Sequence, residues 1–242
     1  HGVARPAHTF SKVLNSPLND IIGGDGELIP RLASDVSVDS GTMVIDIADD
    51  YRWDNGDPVT ADDLMTQFKL GVIMDSTPKL RKMADLIDST DDITKQGEKT
   101  LAIDLNTEVG EALGIAAITK GDIWTPESVF GKFVEEYEDA STETEREKAT
   151  EKLLSFRWEV ADVLSNGVGT FVEKNQSVAI IEPNEHHPLS ENIPWDRFEM
   201  HYLSGNSTLL QTAKSGGLDY LKGGYEEDAL PREDWMRILF VQ

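Results

Sequence analysis

Residues 42–74 constrain the fold more than any other part of the sequence. Their first seven letters, "TMVIDIA", alternate apolar and polar side chains, which is typical of a strand with one buried face. An acidic turn follows, and then comes Thr60, a residue type that favours the N-cap of a helix. Asp62 and Asp63 come next, where the helix dipole favours anions. Apolar residues then recur at a spacing of four, at Leu64, Phe68 and Val72. The pattern predicts a strand, a turn and a helix that ends near Met74.

The remaining elements also mix strands with helices. Residues 27–38 are predicted to form one strand that pairs with "TMVIDIA" through a hairpin turn at "DSG". Further strands are predicted at residues 99–105 and at "GTFVEKN", "SVAIIEP", "RFEMHYL" and "LDYL". Helices are predicted over residues 109–118, 129–140, 143–164 and 206–215. The sequence therefore predicts a mixed α/β (α+β) fold, in which a mixed sheet is flanked by helices.

The charge balance limits the partners of this chain. The chain has 22 Lys and Arg residues and 45 Asp and Glu residues, which give a net charge of −23. Such a surface repels nucleic acid and anionic membranes, so no nucleic-acid partner is expected. The acids are spread along the whole chain, which favours a halophilic surface that needs salt to screen its self-repulsion. An ordinary acidic protein stays as the alternative.

The sequence offers no catalytic or metal-binding pattern. Cysteine is absent, and there is neither a GxSxG nucleophile turn nor a phosphate-binding loop. The acidic turn "DDYRWDNGD" lacks the glycine that a calcium-binding EF-hand loop needs at its sixth position. The "EHH" at Glu185–His187 lacks the spacing of paired zinc ligands and is expected in a surface loop. We therefore expect no catalytic residue, no metal site and no cofactor.

Two segments in order carry a family resemblance. The first is "DGELIPRLASDV" at residues 25–36, and the second is "WDNGDPVTADDL" at residues 53–64. Together they resemble the extracellular solute-binding proteins of family five, which serve peptide and nickel ABC importers. "NSTLLQTAKSGGLDYL" also resembles this family, whereas "NGVGTFVEKN" departs from its pattern at Val168 and Thr170. The resemblance covers about residues 10–221.

The resemblance implies a lobe of the periplasmic-binding-protein type II kind. Residues 1–242 would form one lobe of a two-lobed protein, with the second lobe absent and with possible subdomains 1–50 plus 166–242 and 51–165. The implied function is to bind an oligopeptide or dipeptide between the lobes for import, with nickel or a sugar as other possible ligands. The implied protein is a monomer without enzyme activity. It would lie at the cell surface, anchored as a lipoprotein in its full-length form, and meet the membrane permease of the importer.

By the same resemblance, five residues are expected to face the ligand: Asn19, Thr119, Trp124, Gly167 and Gly169. Trp124 is the strongest candidate because an aromatic ring at a lobe edge can pack on a ligand. The alternative places Trp124 in the core of the lobe. Two other functions stay open, a surface interaction or adhesion module and a carboxylate-dependent hydrolase. Two N-glycosylation sequons, at Asn175 and Asn206, fit an extracellular protein, although Asn206 is favoured as the N-cap of the predicted helix 206–215.

Overall fold

The computed structural model describes residues 13–22, 27–74, 86–106, 121–157, 159–202, 207–208, 211–212 and 215–219. The chain divides into two compact units. The first unit is His1–Glu173 with Ile180–Phe198, and the second is Lys174–Ala179 with Glu199–Gln242. No helix in the described ranges is long and apolar enough to cross a bilayer.

A four-stranded antiparallel sheet forms the centre of the first unit. Its strands are β3 (Ala33–Asp39), β4 (Thr42–Ile47), β5 (Ile93–Lys95) and β6 (Thr100–Asp104), arranged in the order β3-β4-β6-β5. A separate antiparallel hairpin of β1 (Asn19–Ile22) and β2 (Glu27–Pro30) precedes it. Strand β4 buries Met43, Ile45 and Ile47 and leaves the intervening side chains half-buried, so the predicted alternation is confirmed.

The hairpin turn between β3 and β4 is also confirmed. Ser40 and Gly41 have φ angles of 54° and 89°, the left-handed conformation that a tight two-residue hairpin turn requires. The single strand predicted over residues 27–38 is wrong, because the chain changes sheets in its middle. There the N–H groups of Arg31 and Ala33 both donate to the Leu18 carbonyl, 3.1 Å away in each case. These bonds separate β2 from β3.

Helix α1 (Ala61–Ile73) follows β4 along the chain, so the predicted order of strand, turn and helix is confirmed. Thr60 is its N-cap residue and Met74 its C-cap residue. Its buried face presents Leu64 and Phe68, both fully buried, to the core that also contains the inner face of the sheet. Burying side chains of this size contributes about 1.5–3 kcal/mol each.

Helices α2 (Glu127–Glu138) and α3 (Glu143–Ser155) pack together beside α1. They enclose a second apolar cluster, made of Leu70, Phe130, Phe133, Val134 and Leu153. The predicted helix 143–164 is wrong beyond Ser155. The Arg157 guanidinium donates to the carbonyls of residues 154, 155 and 156 and so satisfies the free acceptors at the end of α3. Val160, which lies within the predicted helix range, is 41% exposed.

Three further strands confirm the predictions for residues 169–201. They are β7 (Gly169–Lys174), β8 (Val178–Pro183) and β9 (Phe198–His201), which form a sheet in that order. Residues 207–208 and 211–212 are helical, as predicted, whereas Leu218 and Asp219 of the predicted strand "LDYL" are not in a strand. The predicted helix 109–118 lies outside the described residues.

Candidate ligand-binding site

Three segments from distant parts of the sequence meet at one buried point, which we call the junction: residues 14–19, 122–125 and 165–169. The Asn166 side chain joins all three. Its Oδ1 accepts from the Ser16 N–H at 2.7 Å, and its Nδ2 donates to the Ile123 carbonyl at 2.9 Å. The Ile123 N–H in turn donates to the Ser16 carbonyl at 3.1 Å. All three residues are buried, so the bonds are shielded from water and hold the segments in one arrangement.

Four of the five predicted ligand-facing residues lie in these segments. The junction contains Asn19, Trp124, Gly167 and Gly169, whereas Thr119 lies outside the described residues. The structure thus brings together residues up to 150 positions apart, as between Ser16 and Asn166. Whether they touch a ligand stays a prediction.

The two glycines allow the start of β7 to approach the N-terminal segment closely. A Cβ atom at Gly167 would lie 2.4 Å from the Val13 carbonyl oxygen, and one at Gly169 would lie 2.4 Å from Ile181 Cγ2. The Gly167 N–H donates to the Leu14 carbonyl at 2.9 Å, and its carbonyl accepts from the Asn184 amide at 3.0 Å. Both the N–H and the carbonyl of Gly167 are therefore hydrogen-bonded within the fold, and the residue allows the close packing of the junction.

Asn19 opens strand β1 and is only 5% exposed. Within the part of the chain that the structure describes, its side-chain amide forms no hydrogen bond. A buried amide without partners costs free energy unless water or a ligand satisfies it. Within the described residues, Asn19 is thus a polar side chain of the junction whose hydrogen-bonding capacity the fold itself does not use, and the buried Ser165 Oγ is another.

Trp124 is held at the junction through its backbone. Its N–H donates to Gln67 Oε1 at 2.9 Å, and the Thr125 hydroxyl donates to the same oxygen at 3.1 Å. The Gln67 Nε2 donates to the Asp122 carbonyl at 2.9 Å. The indole ring packs edge-to-face on Phe130, with 5.7 Å between ring centroids, and stays half-buried. Trp124 therefore belongs partly to the second apolar cluster while part of its ring is accessible.

Asp63 fixes the same region from helix α1. Its Oδ2 accepts from the Thr60 N–H at 2.8 Å and from Trp53 Nε1 at 3.2 Å, and its Oδ1 accepts from the Glu127 N–H at 2.8 Å. Burial raises the pKa of Asp63, while these hydrogen bonds oppose that rise. One carboxylate thus caps the start of α1 and anchors the start of α2, just after Trp124.

Sequence reasoning missed three of the residues that build this region: Asp63 as an anchor of α2, Gln67 and Asn166. A signal existed for two of them. Gln67 is a polar residue one position from the apolar face of α1, and Asn166 directly precedes the glycine turn. The sequence does not indicate the hydrogen-bond partner of either residue.

The "EHH" segment lies in a loop after β8, but the surface position predicted for it is wrong for His187, which is 4% exposed. Its Nδ1 accepts from the Leu189 N–H at 3.1 Å, and its ring packs edge-to-face on Tyr51 at 5.5 Å. Burial lowers the pKa of His187. Across the described ranges, no group of three or more His, Asp or Glu residues is placed to hold a metal ion.

The fold and the order of the motifs define a class of protein, that of the periplasmic-binding-protein type II fold. The family described as bacterial extracellular solute-binding proteins, family 5 middle, matches residues 27–235. This chain belongs to that family. Among curated protein sequences, none matches it.

Solved structures of similar fold include three with bound ligands. The oligopeptide-binding protein AppA from Bacillus subtilis, in complex with a nonapeptide, has a TM-score of 0.66 and 15% identity, and the match covers 90% of this chain and 40% of that one. OppA from Listeria monocytogenes, bound to peptide, has a TM-score of 0.62 and 15% identity, with 87% and 40% covered. NikZ from Campylobacter jejuni, in complex with Ni(L-His), has a TM-score of 0.57 and 17% identity, with 86% and 37% covered. The chain thus spans about two-fifths of the length of these structures.

Proposed function

We propose that this chain forms one wall of the ligand-binding cleft in the substrate-binding component of an ABC importer, and that the ligand is a short peptide. The observation that carries the proposal is the family match over residues 27–235. Two structures of similar fold contain peptides, which supports a peptide ligand. Because the chain spans about two-fifths of these structures, the rest of the cleft would come from further sequence.

The junction is the part of this wall that we assign to the ligand. Trp124 would pack the accessible part of its indole on an apolar ligand group, since its backbone is already fixed by Gln67. The Asn19 amide would donate to, or accept from, the peptide backbone. Gly167 and Gly169 would set the position of these two side chains, and Thr119 stays in the proposal on the resemblance alone. Binding of this kind relies on a few placed polar groups in a largely apolar pocket.

The family match supports the setting that we propose for this function. The protein would act at the cell surface as a monomer, anchored as a lipoprotein in its full-length form, and would deliver its ligand to a membrane permease. It would not act as an enzyme. The alternatives of an adhesion module and a carboxylate-dependent hydrolase have no observation in the described structure that favours them.

Isothermal titration of the full-length protein with mixed short peptides tests the proposal. We expect saturable binding heat with one or more peptides. Heat with a nickel–histidine complex or an oligosaccharide, together with none from any peptide, would replace the ligand class. A protein that binds none of these ligands would contradict the import function itself.

A further inference from the structure

The turn between β7 and β8 presents the sequon Asn175-Gln176-Ser177, and all three residues are exposed. The Asn175 N–H donates to the Val178 carbonyl at 2.9 Å and closes the hairpin. The Asn175 Oδ1 accepts from the N–H groups of Ser177 at 2.8 Å and of Val178 at 3.0 Å. The side-chain oxygen is thus fixed on the backbone of the turn, so the acceptor side chain has one defined orientation on an exposed loop.

The surface beside this turn contains an unusually exposed aromatic residue. The Tyr202 N–H donates to the Ser177 carbonyl at 2.7 Å, so Tyr202 lies directly next to the sequon. Its side chain is 78% exposed, the highest value among the large hydrophobic residues of the described ranges. The exposed ring of Tyr202 is therefore available to pack on a group that is attached at the sequon.

We propose that Asn175 is an N-glycosylation site and that its glycan covers the surface around Tyr202. An Asn-x-Ser sequon accepts a glycan where it lies on an exposed loop of a secreted protein. The family is described as extracellular, and the turn satisfies the requirement for exposure. The apolar face of the first sugar ring would pack on the phenol ring of Tyr202.

The donor would be an oligosaccharide linked to a lipid phosphate or diphosphate. The bond between sugar C1 and the phosphate oxygen breaks, and a bond forms between C1 and Asn175 Nδ2. The phosphate leaves with the bonding electron pair, and the Nδ2 proton passes to a base of the transferase. No oxidant or reductant is needed.

Two substitutions at Ser177 distinguish the effect of losing the sequon from the effect of disturbing the turn. Ser177→Ala removes the hydroxyl that the transferase requires, but it keeps the backbone N–H that bonds to Asn175. Ser177→Thr keeps both. Asn184 is the matched internal control because it lies near the end of the same hairpin, outside any sequon, and is 1% exposed with its amide bonded to Gly167.

The experiment is peptide mass spectrometry on the protein isolated from the cells that produce it. Cleavage after glutamate, which the proline after Glu182 blocks at that residue, gives the peptide of residues 174–185, which contains both Asn175 and Asn184. We expect this peptide to be heavier by whole monosaccharide residues, with fragment ions that place the glycan on Asn175. The added mass should disappear in Ser177→Ala and Asn175→Gln and persist in Ser177→Thr. An unmodified peptide from the wild-type protein, or a glycan retained in Ser177→Ala, would overturn the proposal.

Discussion

The Asp63 carboxylate accepts a hydrogen bond from the Glu127 backbone N–H, 2.8 Å away, although 64 residues separate the two in sequence. The same carboxylate accepts from the Thr60 N–H at the start of α1. The first turns of two helices are therefore held by a single buried side chain. The segment that contains Trp124 ends at this bond, so the position of the candidate ligand-binding residue depends on it.

Replacing Asp63 tests this anchor. Asp63→Asn replaces one carboxylate oxygen with an NH₂ group, which donates rather than accepts. The backbone N–H of either Thr60 or Glu127 therefore loses its acceptor and is left without a partner. We expect the free energy of unfolding in urea to fall by about 1–3 kcal/mol. Asp62→Asn is the matched control, since the Asp62 side chain is 38% exposed and pairs with Lys95, which is equally exposed. Its effect should stay within about 0.5 kcal/mol. Equal losses in both variants would contradict the anchor.

The close approach at Gly167 gives a second prediction. Gly167→Ala places a Cβ atom 2.4 Å from the Val13 carbonyl oxygen, and a backbone atom has little room to move. We expect a loss of about 2–3 kcal/mol in the free energy of unfolding from this overpacking. At Gly97 a Cβ atom would find its nearest neighbour, Thr100 Cβ, at 3.7 Å. The free energy of unfolding of Gly97→Ala should therefore stay within about 0.5 kcal/mol of the wild-type value.

His187 gives the fold a specific sensitivity to acid. Its pKa is lowered by burial, so the unfolded chain binds a proton more readily than the folded chain. The two nearby charges act in opposite directions, because Asp50 raises this pKa and Arg31 lowers it. Above the unfolded pKa, about 6.5, both states are neutral and His187 has no effect on stability. Below it, stability falls until the pH reaches the folded pKa.

The measurement is the difference between the pH profiles of two proteins. We expect the free energy of unfolding of His187→Gln to fall less than that of the wild type between pH 7.5 and pH 5 (about one unit above and one and a half units below the free histidine pKa). Carboxylates titrate in both proteins and largely cancel in the comparison. His186→Gln should keep the wild-type acid loss, since His187 is still present. Parallel profiles for wild type and His187→Gln would show that this ring does not set the acid response.

Trp124 should affect binding and stability together. Trp124→Ala in the full-length protein removes the edge-to-face contact with Phe130 and the proposed ligand contact. We expect peptide Kd to rise at least about tenfold, the equivalent of about 1.4 kcal/mol. Phe156→Ala is the matched control, because this half-buried ring packs on Phe130 in the same cluster, 5.9 Å away. It should lower the thermal midpoint without changing Kd. Unchanged affinity in Trp124→Ala would assign this residue to the core alone.

The net charge of −23 predicts a dependence on salt. The exposed face of α3 illustrates the cause, with exposed carboxylates at Glu143, Glu145, Glu147 and Glu151. We expect the thermal midpoint to be much higher at 2 M than at 0.1 M KCl (screening lengths of under about 3 Å and about 10 Å). Most of the rise should come below 1 M, where the Debye length is already about 3 Å, and the midpoint should level off above that concentration. A rise that continues beyond that point would indicate ion binding or salting-out of apolar surface. A midpoint that ignores salt would contradict a halophilic surface.

Local rules account for what the sequence by itself determined. The alternation in β4, the turn at Ser40 and Gly41 and the start of α1 at Thr60 each depend on residues within one or two turns of chain. Period, cap and turn chemistry act over that range, and the family motif at residues 53–64 combines all three. The fold class and the family followed from these features.

Only the tertiary structure decided which distant groups meet. The sequence around Asn166 does not indicate that its partner is Ser16, 150 residues away. Nor does the sequence around Asp63 indicate that its carboxylate binds the first turn of a second helix. Helix α3 ends at Ser155, short of its predicted end at residue 164, and Arg157 donates to the carbonyls of residues 154–156 there. His187 is buried because Tyr51 lies against it. Periodicity records which face of an element is apolar, whereas a hydrogen bond between distant residues depends on where the folded chain places both of them.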